Sequence, residues 1–188
     1  MNIPIEVSAR HVHLSEEAVN ALYGKGYELS LRKNLSQPGQ FACEERVNII
    51  GPKGILKNVA VLGPERSKTQ AEISITDSIK IGVKAPIRES GDLLNSAGCI
   101  LQGPEGNFEI SEGLIIAKRH IHMTPSDSQK INVKNGQIVS VKVKSEIRSL
   151  IFNDVVVRVN NNFKLAMHID TDEANALNAH GDLYGNIV

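Results

Sequence analysis

The sequence predicts a mainly β protein, a barrel or a sandwich carrying a few short helices. Three observations lead there. Short runs rich in Val and Ile recur from one end of the chain to the other, and β-branched side chains suit a pleated, half-buried strand. Clusters of Gly, Pro and Asn separate these runs. Helical segments are few and short, so the alternation of strand and long helix that marks a parallel α/β sheet is missing.

Taken in order, strands are expected over residues 3–7, 47–50, 59–62, 79–83, 97–101, 138–143, 155–159 and 183–188. Turn signals stand at Gly51-Pro52-Lys53-Gly54, Gly103-Pro104-Glu105-Gly106, Asn135-Gly136 and Asn160-Asn161-Asn162. Proline presets one turn position and Gly or Asn tolerates positive φ at another, so all four are expected as hairpin connections. No low-complexity linker or charge run marks a domain boundary.

A length of 188 residues suits one domain or two small ones, with ample room for a core. Hydrophobic residues make up 41% and charged residues 22%, which places the chain among globular proteins rather than disordered ones. Lys plus Arg number 21 and Asp plus Glu number 21, so the formal net charge is zero. That argues against a general nucleic-acid or anionic-membrane binder, and leaves a small anion gripped by a local Arg or Lys cluster. Cys43 and Cys99 are the two cysteines and have no C-x-x-C spacing, which fits a reducing cytoplasm. The N-terminal stretch lacks a signal-peptide pattern, and no apolar run approaches bilayer length. A cytoplasmic location is therefore expected.

One pattern occurs three times. Arg10-His11-Val12-His13-Leu14-Ser15 is followed by Glu16, Glu17 and a helix-like run through Leu22. Arg119-His120-Ile121-His122-Met123-Thr124 is followed by Pro125 and Asp127, and Met167-His168-Ile169-Asp170-Thr171 by Asp172 and Glu173. Ser or Thr is expected to cap a helix in each, with carboxylates or Pro in the first turn. Each unit thus reads as a histidine-bearing strand running into a helix. The first two frames also resemble an internal duplication.

Side chains alternate along a strand, so His11 and His13 share a face, as do His120 and His122. Two imidazoles on a rigid element suit zinc or another borderline metal. A single His-x-His is as well explained by chance or by a surface pair. Two copies in one frame, using four of the six histidines, favour metal binding, with His168 as a fifth ligand. His180 has no such frame and reads as a surface residue. Residues 63–72 are polar and read alone as a solvated loop. Beside the histidines, Arg66 instead suits a bidentate grip on phosphate, and Glu72 suits completing a metal site. No glycine-rich phosphate loop and no G-x-S-x-G elbow is present. Both cysteines read as core residues rather than nucleophiles.

Several separate segments resemble the phosphate propanoyltransferases, the PduL-type phosphotransacylases. They are Val7-Ser8-Ala9-Arg10-His11-Val12-His13-Leu14, Leu35-Ser36-Gln37-Pro38-Gly39-Gln40-Phe41-Ala42 and Leu62-Gly63-Pro64-Glu65-Arg66. Pro86-Ile87-Arg88-Glu89-Ser90-Gly91-Asp92, Ala117 through Met123, and His168 through Ala176 continue the likeness over essentially the whole chain. The resemblance implies reversible transfer of a short acyl group between coenzyme A and inorganic phosphate, as in propanediol degradation. It implies two small β-barrel domains with short capping helices and a dimetal site between them, residues 1–9 plus 118–188 forming one and 10–117 the other. By that likeness His11, His13 and Glu72 hold one zinc, and His120, His122 and His168 hold a second. Arg66 falls at the phosphate-binding position, and Ser8, Lys33, Leu62 and Asn175 fall at coenzyme A contacts. Acyl-CoA and phosphate are the implied partners, and a homodimer is compatible with the likeness. The N-terminal extension of microcompartment members is not seen ahead of the first motif, so a free cytoplasmic enzyme is expected.

The mechanism expected on this basis is direct attack by phosphate on the thioester at a dizinc site, with no acyl-enzyme. The zinc of His120, His122 and His168, helped by Arg66, is expected to position phosphate. That of His11, His13 and Glu72 is expected to stabilise the coenzyme A sulfur or the carbonyl.

Overall fold

A computed structural model describes residues 1–188. In chain order its elements begin with β1 (Ile3–Val7), β2 (His11–His13), α1 (Glu16–Tyr23), β3 (Leu31–Asn34) and β4 (Phe41–Gly51). They continue with β5 (Gly54–Gly63), β6 (Gln70–Glu72), α2 (Ile75–Ile81), β7 (Ile87–Arg88) and β8 (Ala97–Gln102). Then follow β9 (Asn107–Ala117), β10 (His120–Met123), α3 (Pro125–Lys130) and β11 (Ile138–Val143). The last are β12 (Leu150–Val159), β13 (Ala166–Ile169), α4 (Thr171–Leu177) and β14 (Tyr184–Ile187). The protein is mainly β, and no helix is long and apolar enough to cross a membrane. The chain divides into two compact units, Ala9–Ala117 on its own, and Met1–Ser8 together with Lys118–Val188.

In the unit of residues 9–117, β4 pairs with β5, β5 with β2, β2 with β6, β6 with β9, β9 with β8, and β8 with β4. The ring closes on itself, so six strands lose their free edges, which is what a small barrel achieves. β3 and β7 add to it from β4 and β9. Alternation along β4 shows why the strand forms: Cys43, Glu45, Val47 and Ile49 are buried, and the residues between them are not. The core gathers Val12, Leu14, Val47, Ile49, Leu56, Val61, Ala71, Leu101 and Leu114, with Ala18, Val19 and Leu22 of α1 packed into it. Each large aliphatic side chain buried in this way contributes about 1.5–3 kcal/mol relative to exposure. Ser15 caps α1 by accepting the Ala18 N–H, with Glu16 and Glu17 in the first turn.

The other unit is a closed barrel in the order β1, β13, β10, β12, β11, β14. Ile3, Ile121, Met123, Val141, Val155, Val157, Met167 and Ile169 lie at its core. Strand for strand the two rings correspond. β2 and β10 each run parallel to one neighbour, β5 or β12, and antiparallel to the other, β6 or β13. β6 and β13 each then pair in parallel with a further strand, β9 or β1. The first strand of each sequence repeat is exchanged, since β1 closes the ring that contains β10 and β9 the ring that contains β2.

Two local expectations are corrected. Residues 79–83 do not form a strand, because most of them belong to α2 and its C-cap. Ser74 and Asp77 form a reciprocal capping box at the start of that helix, and Gly82 ends it in a left-handed conformation with φ 74°. Only the first two turn signals are hairpins, joining β4 to β5 and β8 to β9. Asn135-Gly136 joins α3 to β11, and residues 160–162 join β12 to β13, which are separated in the ring by β10.

Candidate metal centres

β2 is only three residues long, and its middle residue Val12 lies in the core. Alternation therefore puts His11 and His13 together on the opposite face. On neighbouring β6, Ala71 is the core residue, and Gln70 and Glu72 share the histidine face. The register sets His11 opposite Glu72 and His13 opposite Gln70. β10 and β13 repeat the arrangement, with Ile121 and Met167 inward and His120 directly opposite His168. His11, His13 and Glu72 form one cluster and His120, His122 and His168 another, the donor atoms within each lying within 4.8 Å of one another. His180 belongs to neither; it is exposed and 3.1 Å from Asn178 Oδ1.

The hydrogen bonds orient these rings for coordination. His11 Nδ1 donates to Ala9 O at 2.8 Å, and His120 Nδ1 donates to Lys118 O at 2.8 Å. Each bond fixes the tautomer whose Nε2 carries the lone pair, the usual outer support of a metal-ligating histidine. His11 Nε2 then lies 3.5 Å from Glu72 Oε2. His13 Nδ1 and His122 Nδ1 are buried with no hydrogen-bond partner, which is costly for a polar atom unless something fills the position. Burial, followed by the neighbouring His11, pushes His13 down to about 3. Burial, followed by His120 and His168, pushes His122 down to about 2. Burial alone would raise the Glu72 carboxyl, but His11, His13, the Ser90 hydroxyl and Arg66 hold it below its ordinary value. Neutral imidazoles beside an ionised carboxylate are the donor set that a borderline divalent ion such as zinc takes, and three donors leave coordination positions open.

Arg66 lies beside the first cluster. It lines a cavity of about 270 Å³ together with His13, Pro38, Gly39, Gln40, Gly63 and Pro64. Its backbone N–H donates to Leu14 O at 2.8 Å, and its guanidinium donates to Ser90 Oγ at 3.3 Å. Gly63 is required there, because a β-carbon would collide with the Phe41 ring. Ser90 Oγ donates to Glu72 Oε1 at 2.9 Å, and Gln70 Nε2 donates to the same oxygen at 2.5 Å and to Ser90 at 2.8 Å. Arg66, Ser90, Gln70 and Glu72 are thus one network. Arg66 was expected to help the second cluster position phosphate; within its own unit it lines a cavity with His13. Sequence reading gave Ser90 and Gln70 no role. Gln70 was recoverable from its two-residue spacing to Glu72 on one strand face, whereas Ser90 carries no periodic signal.

The four residues matched to coenzyme A contacts fall in two pairs. Lys33 and Leu62 both lie opposite Ala42, on either side of β4, and so occupy one row across the sheet. Ser8 donates its backbone N–H to Ile169 O at 2.8 Å, next to His168, and Asn175 is exposed on α4. The cap of α4 is Asp170 rather than Thr171, because the aspartate carboxylate accepts the Glu173 N–H at 2.8 Å in a capping box.

The phosphate propanoyltransferase family matches residues 4–180 of the chain. A phosphate propanoyltransferase of Listeria monocytogenes is 52% identical over 186 residues, 99% of this chain and 87% of that protein. One from Clostridioides difficile is 56% identical over 174 residues, covering 93% and 83%. One from Thermotoga maritima is 54% identical with the same coverage. A match of this extent, at this identity and through both histidine clusters, means that the chain belongs to the phosphate propanoyltransferase family.

Proposed function

We propose that this phosphate acyltransferase moves a short acyl group reversibly between coenzyme A and inorganic phosphate by direct attack. A phosphate oxygen bonds to the thioester carbon, the carbon–sulfur bond breaks, and the sulfur leaves with the bonding electrons as the thiolate of coenzyme A. His11, His13 and Glu72 would hold one zinc ion, and His120, His122 and His168 another. A bound divalent ion supplies Lewis acidity toward a carbonyl or phosphoryl oxygen and toward a leaving thiolate.

The observation that carries the reading is Arg66 in a cavity with His13, tied through Ser90 to Glu72. A planar guanidinium grips phosphate bidentately and holds it in line with a carbonyl, so the attack becomes effectively intramolecular. Lys33 and Leu62, in one row beside that cavity's strand, suit the charged and apolar parts of coenzyme A. Direct attack is supported by the cysteines. Burial pushes the Cys43 thiol up to about 11 and the Cys99 thiol up to about 12, so neither offers a thiolate at neutral pH. Both cysteines are free and buried, in keeping with a reducing cytoplasm.

The test is thiol release from acetyl- and propanoyl-CoA by zinc-loaded protein, with and without phosphate. Release that requires phosphate and yields acyl phosphate is expected. Release at the same rate without phosphate would instead identify a thioester hydrolase.

A further inference from the structure

Both histidine clusters share a second device. In each, the arginine just before the first histidine reaches the helix that follows the third donor. Arg10 Nε donates to Asp77 Oδ2 at 2.8 Å, and Arg119 Nη1 donates to Glu173 Oε1 at 2.8 Å. Asp77 and Glu173 occupy the same helical position, the third residue of α2 and of α4. Each also closes a capping box, with Ser74 in one case and Asp170 in the other. The spacing is identical. From Glu72 the cap lies two residues on and the carboxylate five, and from His168 the same intervals lead to Asp170 and Glu173.

We infer that Arg10 and Arg119 are positioning residues, each clamping the third donor of its own cluster through the capping box of the helix that follows. The inference rests on reading the clusters as metal sites. The third donors need such support, because each sits on a very short ladder. β2 meets β6 in three residue pairs, and β10 meets β13 in three. Two residues beyond the donor, the chain leaves the sheet for a helix, so the donor's place depends on where that helix starts. The arginine ties that start to the residue beside the first donor, and the register pairs His11–Glu72 and His120–His168 are the other side of the same closed loop.

The two clamps are built from different parts. The third donor is Glu in one and His in the other, the cap is Ser or Asp, and the bridging carboxylate is Asp or Glu. What repeats is the geometry. Arg10 is partly exposed, with 39% of its side chain accessible, against 3% for Asp77. Asp77 is almost wholly buried, so cutting its ion pair costs some global stability as well. The effect that distinguishes a clamp on the donor is therefore the one read at the metal. Outer residues that orient ligands commonly change metal affinity by about ten- to a hundred-fold.

The experiment uses the full chain in two backgrounds, His122→Ala to leave the first cluster and His13→Ala to leave the second. Zinc affinity is read by competition with a calibrated chelator, and the coordination by the visible spectrum of the cobalt-substituted protein. Arg10→Gln should weaken zinc about ten-fold or more, and shift the cobalt spectrum, in the His122→Ala background alone. Arg119→Gln should do so in the His13→Ala background alone. Asp77→Asn should reproduce Arg10→Gln, and the two together should lose no more than either. Unchanged affinity, or equal loss in both backgrounds, overturns the clamp. So does loss of the fold in both Arg10→Gln and Asp77→Asn, since the pair would then hold the barrel and not the donor. Failure of the otherwise unmodified protein to take up zinc or cobalt would instead overturn the metal reading itself.

Discussion

His11 faces Glu72 across the β2–β6 ladder, and its Nε2 stands 3.5 Å from Glu72 Oε2. Because His11 Nδ1 is committed to Ala9 O, the nitrogen facing the carboxylate is the one with a lone pair. Two acceptors held this close repel unless a cation or a proton lies between them. His13 brings a third donor within 4.8 Å of both, and three converging donors of this kind suit a divalent metal ion. His120 and His168 likewise stand opposite one another in register on β10 and β13.

Metal content is the first consequence. Purified protein should carry about two equivalents of zinc or a similar ion, one per cluster. His120→Ala should remove most of one, because two remaining donors bind far more weakly than three. Elemental analysis after gel filtration checks this, and unchanged metal in the variant would sink the assignment of that cluster.

Arg66 separates phosphate binding from metal binding. Arg66→Lys should retain both metals, since Arg66 is not a donor. It should raise the phosphate needed for half-maximal rate by roughly ten-fold or more, because an ammonium is a point charge and cannot reproduce the planar fork. Initial rates against phosphate concentration give the answer. A variant that saturates like the parent would reduce Arg66 to a loop residue.

What could be read from sequence divides by range. The two His-x-His pairs were legible because strand alternation alone puts i and i+2 on one face. Glu72 was reachable mainly through the family likeness, since three strand residues inside a polar stretch leave no periodic trace. Ile79, Ile81 and Val83 imitate a strand by alternating, yet the Ser74–Asp77 box and Gly82 make a helix, and Ile79 ends up 74% exposed. Local capping chemistry outweighed the apolar pattern there. Strand order was not legible at all. Residues 160–162 look like a hairpin, and only the insertion of β10 between β12 and β13 prevents one. Ser90 escaped for the same reason, because it meets Glu72 from 18 residues away.

Away from the clusters, Glu45 should make stability depend on pH. It is buried, and burial alone would raise its carboxyl. The Ser30 backbone N–H at 3.0 Å and the Tyr27 hydroxyl at 2.9 Å hold it below its ordinary 4.5. Between the lowered folded value and 4.5 the unfolded chain binds more protons, so stability rises with pH across that window. The contribution of these hydrogen bonds is whole above the unfolded value and lost as pH falls through the folded one. Urea melts should show Glu45→Gln less stable than the parent near neutrality, with the gap closing in acid. A gap that stays constant as the pH is lowered would refute the ionised, hydrogen-bonded state.

The last prediction tests direct attack against an acyl group carried on cysteine. A thiol pushed up to about 11, as at Cys43, is ionised in roughly one molecule in ten thousand at about pH 7. Cys99, pushed up to about 12, is ionised less often still. Cys43→Ser combined with Cys99→Ala should therefore retain phosphate-dependent transfer. Its stability should fall, by about 1 kcal/mol for the smaller side chain in the core and by more if the hydroxyl introduced in place of the Cys43 thiol finds no partner. Labelled coenzyme A should not exchange into acyl-CoA when phosphate is absent, because direct attack leaves no acyl-enzyme for free coenzyme A to reverse. A double variant that is folded and metal-loaded yet inactive would place the acyl group on a thiol, as would rapid exchange without phosphate in the parent. Either outcome would move the chemistry from the Arg66 cavity to the barrel core.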